Sequence, residues 1–264
     1  MFPTYSIKIN FHQYSSYLKF LWHSGNAHGL HSPFVFELYT KAIKKKTSKD
    51  TFKAIEEQRK LFLKDQSWIE IKDLGAGSKK LKHKERRVSD IAGTSLSPAF
   101  KCELLYRIIE FLEAKTILEF GTNLGISTRY ISLANCVDKC ISIEGDEYLY
   151  NLAGAHQNEK VDLLNTDFDT GIKKLKQAQK SFDVIFLDGD HKKESTIRYC
   201  NDLKALLKND GLIILDDIYW SKGMTEAWNE LKKDEFFGIG IDLFHFGMLF
   251  KRHKQPKQEF ILRV

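Results

Sequence analysis

Five short apolar runs in the second part of the chain lead into acidic residues, and these acids are where chemistry can be read first. Thr116-Ile-Leu-Glu119-Phe120 runs into Gly121-Thr122-Asn123-Leu-Gly125-Ile-Ser127, a pattern for a buried strand, a glycine turn and a helix start. Such a turn lets backbone approach a ligand closely and aims free helix N–H groups at it. Cys140-Ile-Ser-Ile-Glu144 ends in an acid 23 residues after Gly121, where a carboxylate can accept hydrogen bonds from ribose hydroxyls. Asp167 and Phe168 close the third run, a carboxylate and a ring that suit the exocyclic amine and the face of an adenine. The fourth ends at Leu187-Asp188-Gly-Asp190-His191 and the fifth at Leu215-Asp216-Asp217. A lone Asp at a strand–helix turn reads most simply as a helix cap. Five consecutive strand ends with acids point instead to one shared ligand edge.

The glycine spacing argues against a dinucleotide. That fingerprint is G-x-G-x-x-G, whose middle glycine admits a pyrophosphate. Here Thr122-Asn123-Leu124 separates Gly121 from Gly125 and the middle glycine is missing. Glu119 beside the turn would repel a phosphate and welcome an ammonium group. A second glycine turn, Asp73-Leu-Gly-Ala-Gly-Ser78, is followed by a basic run rather than an amphipathic helix, and reads as a structural turn.

The elements that must position these residues alternate. Strands are expected near Thr116–Phe120, Lys139–Glu144, Val161–Asn165, Phe182–Asp188 and Gly211–Asp216, with amphipathic stretches between them. This predicts an α/β, doubly wound, mostly parallel sheet covered by helices on both faces. Two further strands, near Gly238–Leu243 and Phe246–Lys251, are too close for a crossover helix and should pair antiparallel. Residues 1–96 read as a helical, strand-poor accessory region and 97–264 as the main domain. Helices are expected around Phe11 to Trp22, from Ser32-Pro33 through Phe34, Phe36, Leu38, Tyr39 and Ile43, and over Asp50 to Lys64 with Phe52, Ile55, Leu61 and Phe62 on the apolar side. Ser97-Pro98 opens a helix with Leu104, Leu105, Ile108 and Ile109 on one face. The tail from Lys254 to Val264 has no assignment.

The bulk composition excludes several classes. No apolar run in the 264 residues nears the roughly 18–20 needed to cross a membrane. The first residues lack a signal-peptide pattern, so a cytoplasmic location is expected. Cys102, Cys136, Cys140 and Cys200 supply no second pair for a zinc site and read as reduced thiols. Net charge is +6, with Lys79, Lys80, Lys82, Lys84, Arg86 and Arg87 crowded together. That run could dock a nucleic acid, but it lacks interleaved aromatics and reads first as a solvated loop. His12, His23, His28 and His31 have no Cys or carboxylate to complete a metal set, and read as turn or capping residues.

Taken together, Glu119-Phe-Gly121-Thr-Asn-Leu-Gly125, Ile143-Glu144, Phe186-Leu-Asp188-Gly-Asp-His191 and Gly211-Leu-Ile-Ile-Leu-Asp216-Asp217 resemble the motifs of class I S-adenosylmethionine-dependent methyltransferases. The look is that of the catechol and caffeoyl-CoA O-methyltransferase branch, over about residues 97–251. The resemblance implies a Rossmann-like seven-stranded sheet with its last strand reversed. It places the methionine portion of S-adenosylmethionine against Gly121 and its neighbours Glu119, Thr122, Asn123, Gly125 and Ser127, with Asp188 near. It gives the ribose to Glu144 and the adenine to Asp167 and Phe168. It also implies a divalent cation, Mg²⁺ or another, on Asp188, Asp216 and Asp217, with Asp217 where the branch usually has Asn. His191 stands where that branch places a lysine base, and imidazole suits proton abstraction near pH 7. Asp188 and His191 are the expected catalytic pair, Trp220 a wall of the acceptor pocket, and the N-terminal helices a cap over a small-molecule acceptor. Two other readings stay open: an RNA or protein methyltransferase docking through the basic run, and a non-catalytic binder of the same ligand. A homodimer is also open.

Overall fold

The computed structural model describes residues 11–72, 83–252 and 256–264. The Asp73–Ser78 turn, residues 79–82 of the basic run and residues 253–255 lie outside them. The described residues begin with α1 (Phe11–His23), α2 (Pro33–Leu38) and α3 (Lys53–Lys64). A hairpin follows, β1 (Trp68–Lys72) with β2 (His83–Arg87), and then α4 (Val88–Ser95). The main domain runs α5 (Ala99–Phe111), β3 (Thr116–Phe120), α6 (Ile126–Leu133), β4 (Lys139–Glu144), α7 (Glu147–Gly154) and β5 (Val161–Asn165). It continues with α8 (Phe168–Gln177), β6 (Phe182–Leu187), α9 (Lys193–Leu203), β7 (Leu207–Asp216), α10 (Lys222–Leu231), β8 (Ile239–Asp242), β9 (Phe246–Phe250) and β10 (Gln258–Ile261).

The large sheet has the order β10-β8-β9-β7-β6-β3-β4-β5. Strands β3 to β7 pair in parallel, and β9 runs antiparallel to both β7 and β8. Alternate strand residues face opposite sides, so a sheet covered on both faces needs near-continuous apolar runs. Ile117, Val184 and Ile214 pack with α2, α5 and α6 on one side. Leu118, Ile185 and Ile213 pack with α8, α9 and α10 on the other. Successive strands lead outward in opposite directions from the β3–β6 pair, which opens a crevice at their carboxyl ends.

Three expectations need correction. The sheet has eight strands, not seven, because the unassigned tail supplies β10, parallel to β8. Leu262 beyond it is buried in the core, and the Arg263 guanidinium donates to Leu21 O at the end of α1. The N-terminal region is not purely helical: Ile69 and Ile71 of β1 face the cluster formed by Phe52, Phe62 and Ile91, and the polar strand His83–Arg87 pairs with it. Part of the basic run is therefore strand rather than loop. Leu61, expected on the apolar side of α3, is 61 % exposed, while Ile55 and Phe62 are buried. Among the described residues no helix is long and apolar enough to cross a membrane.

Candidate active site

The turn after β3 is built from left-handed residues. Gly121, Asn123 and Gly125 have φ of 95°, 52° and 76°. Gly121 is held by its N–H to Ile143 O at 3.0 Å, and a Cβ there would meet the Asp188 carbonyl oxygen at 2.0 Å. Only glycine lets the ends of β3 and β6 come this close. Gly125 caps α6, so the first N–H groups of that helix begin at the turn. Glu119, expected beside the ligand, is enclosed by the fold. It is fully buried, with Ser127 Oγ donating at 2.6 Å, Ser142 Oγ at 2.7 Å and Thr128 Oγ1 also donating. Burial raises its pKa, and the three hydroxyls pull the other way. Its carboxyl braces the turn from below.

At the end of β4, Glu144 accepts from the N–H of Asn123 at 2.8 Å and of Asp146 at 2.9 Å. Burial raises its pKa against these two donors. Each carboxylate oxygen still has a lone pair for a ligand hydroxyl. The third strand end departs from expectation. The Asp167 carboxylate accepts from Thr170 N and Thr170 Oγ1, both at 2.8 Å, as the cap of α8. The Phe168 ring packs edge-on against Phe120 and Tyr199 and lies against Gly189. Neither residue is among those lining the cleft.

The ends of β6 and β7 converge on a cation, and the cation is a side chain. Lys101 of α5 is buried, its Nζ 2.6 Å from Asp216 Oδ1, 2.7 Å from Oδ2 and 2.9 Å from Asp217 Oδ1. Burial works against the charge of Lys101, but Asp216, Asp217 and Asp188 together hold its pKa above the ordinary value. Burial raises the Asp188 carboxyl to about 6, with Lys101 opposing and Asp217 adding to the rise. Burial and the neighbouring Asp188 put Asp216 well above the carboxylate range. Ser97 Oγ donates to Asp188 Oδ2 at 3.2 Å, and His191 Nε2 stands 3.6 Å from Asp188 Oδ1. The expected divalent cation on Asp188, Asp216 and Asp217 does not fit this arrangement. The ammonium already holds Asp216 and Asp217, and no acid, His or Cys group among the described residues could cage a metal.

These groups line a cleft of about 690 Å³, within the range of small-molecule sites. Gly121, Thr122, Asn123 and Ser127 come from the turn, Glu144 from β4, and Asp188, Asp190 and His191 from the end of β6. Residues 93–98 also line the cleft, so the N-terminal region contributes to it. Lys101, Asp217 and Trp220 also border a second cavity of about 280 Å³ with Phe100, Tyr219, Phe244 and His245, and Gln13 of α1 reaches it. Tyr17 and Phe20 of α1 pack on Phe244, at ring distances of 4.9 Å and 5.4 Å.

Residues 118–218 match the profile of a family described as a methyltransferase domain. In the chain these residues run from β3 to just past β7, the strands that carry the cleft. The fold of the chain is shared with an O-methyltransferase from Bacillus cereus solved with S-adenosylhomocysteine, at TM-score 0.53 and 14% identity, over 82% of this chain and 96% of that one. A Podospora anserina methyltransferase, also solved with that product, gives TM-score 0.57 and 13% identity over 86% and 97%. An O-methyltransferase of tomaymycin synthesis from Streptomyces achromogenes gives 0.54 and 14% over 83% and 96%. No curated protein matches the chain.

Within the cleft, sequence reasoning missed Lys101 and Ser97, and named Asp190 without giving it a role. Lys101 left a signal: it lies on the same helical stripe as Leu105 and Ile108, where a lysine must be buried or misplaced. Ser97 left none, because its role depends on loop geometry. The N-terminal histidines hold no metal set among the described residues. His12 Nε2 meets Thr225 Oγ1 at 3.0 Å, joining α1 to α10, and His23 Nδ1 meets Lys19 O within its own helix.

Proposed function

We propose that this methyltransferase domain transfers a methyl group from S-adenosylmethionine to an oxygen of a small-molecule acceptor. The observation that carries the reading is Glu144, held by two backbone N–H groups on the same cleft as the Gly121–Gly125 turn. Glu144 accepts the ribose hydroxyls. Asn123 Oδ1 and Asp190 Oδ1 are buried acceptors without a hydrogen-bond partner on that cleft, which suits an α-ammonium group. S-adenosylmethionine supplies an activated methyl on a positive sulfur. His191 takes the proton of the acceptor hydroxyl, and Asp188 beside it steadies the imidazolium that forms. The acceptor enters the smaller cavity, between the rings of Phe100, Tyr219 and Trp220, and α1 closes over it. Most of the acceleration comes from holding the reacting oxygen in line with the methyl group. Incubation with methyl-labelled S-adenosylmethionine and a panel of hydroxylated and amino acceptors, read by mass spectrometry, tests this. Label on oxygen is expected; label confined to nitrogen acceptors contradicts the oxygen assignment.

A further inference from the structure

The three carboxylates at the ends of β6 and β7 would ordinarily need a counter-ion from solution. Here the chain supplies one. Lys101 reaches Asp216 and Asp217 from α5, and its side chain is only 5 % exposed, so its stem is fixed by the core. An ammonium has three N–H donors, and the described hydrogen bonds use one toward Asp216 and one toward Asp217. Asp216 Oδ1, although 2.6 Å away, makes no hydrogen bond of proper geometry, so the third donor can turn to an oxygen brought by a ligand. Lys101 is also one of the few residues that border both cavities, together with Pro98, Asp217 and Trp220. A group transferred from the larger cavity to a molecule in the smaller one must pass this boundary.

We propose that Lys101 is the site's own cation: its ammonium occupies the place of a divalent metal, and it binds the acceptor oxygen at the junction of the two cavities. This rests on the methyl-transfer reading of the same site. A fixed ammonium does part of what a metal would do. It balances the buried carboxylates and favours the oxyanion left when the hydroxyl proton moves to His191. It cannot offer several open coordination positions, so a single hydroxyl suffices for recognition, where a metal centre favours two chelating oxygens.

The test is Mn²⁺ binding by the full chain, followed by electron paramagnetic resonance of the free ion and by melting temperature, with S-adenosylhomocysteine binding as the check on folding. Wild type, Lys101→Met and Lys101→Met/Asp217→Asn are compared after metal is stripped with EDTA. Wild type is expected to bind no Mn²⁺ below the millimolar range and to melt at the same temperature with Mn²⁺ or EDTA. Lys101→Met, which leaves the carboxylates without their counter-ion, should bind Mn²⁺ at least tenfold more tightly and gain melting temperature from it. Adding Asp217→Asn should remove that gain. Wild type binding Mn²⁺ at micromolar concentration, with loss in Asp217→Asn alone, overturns the proposal even if Lys101→Met does not fold. A folded Lys101→Met that gains no affinity overturns it too. Failure of wild type to bind S-adenosylhomocysteine is a separate result, and refutes the methyl-transfer reading instead.

Discussion

Gly121→Ala is the substitution whose cost the structure lets one work out. The added methyl would stand 2.0 Å from the Asp188 carbonyl oxygen, where ordinary contact begins at 3.4 Å, so about 1.4 Å of separation must be found (3.4 − 2.0). The obstacle is backbone at the end of a central strand, and no side chain can swing away. The φ of 95° adds strain of about 1–2 kcal/mol for a residue with a Cβ. Overpacking of this kind costs about 1–3 kcal/mol more. The total, about 2–5 kcal/mol, corresponds to a melting temperature lower by roughly 5–20 °C for a chain of this size. The displacement also falls between the ligand turn and Asp188, so S-adenosylhomocysteine affinity should drop at least tenfold. Scanning calorimetry and ligand titration measure both effects. Gly29→Ala is the control, since a methyl added there would have nothing within 4 Å and its φ lies outside the left-handed range. A Gly121→Ala protein that melts within about 2 °C of wild type and keeps its affinity would refute the argument that close approach of β3 and β6 forms the site.

Other outcomes follow from the same geometry. Glu119 has a folded pKa raised by burial, so its stabilising contribution is full below its unfolded value, near pH 4.3, and is lost as pH rises through the folded value. Urea titrations should therefore show the stability of wild type relative to Glu119→Gln falling as pH is raised from about 4 to 7; a difference independent of pH counts against a buried titrating carboxyl. His191→Ala should lower kcat by roughly 10²–10⁴ with little change in S-adenosylhomocysteine affinity, and full turnover would remove His191 as the base. Leu262→Ala should cost about 2–5 kcal/mol in chemical denaturation if the tail is part of the core, whereas a frayed tail would lose almost nothing.

What the sequence showed and what it hid have physical causes. Strands β3 to β9 were legible because a sheet buried on both faces needs mostly apolar runs, although Asp162 interrupts β5 and β9 ends without an acid. The hairpin was missed: Ile69 and Ile71 alternate with polar residues over only five positions, and His83-Lys-Glu-Arg-Arg87 carries no apolar residue, pairing in register with β1 and laying Arg87 over the Trp68 ring at 4.9 Å. β10 was hidden because an edge strand of four residues has little pattern, and its order depends on β8 being present to receive it. The acids were all found, yet their roles divided. Glu144, Asp188 and His191 face the cleft, whereas Glu119 and Asp167 turn away to satisfy hydroxyl and backbone donors of their own turns. Strand-end position could not separate these two outcomes, because a carboxylate near a helix start serves a cap and a ligand equally well. Lys101 was missed because it reaches the site from an element that comes before the sheet, far from the acids in sequence.

The central claim is that the cleft at the ends of β3, β4 and β6 binds the adenosyl ligand. Calorimetric titration of the full chain with S-adenosylhomocysteine tests it most directly, with Glu144→Ala in parallel. One site per chain with a dissociation constant on the order of micromolar is predicted for wild type, weakened roughly 10- to 100-fold in Glu144→Ala by loss of the ribose hydrogen bonds. No binding heat at about millimolar ligand, or equal affinity in the two proteins, would contradict the account.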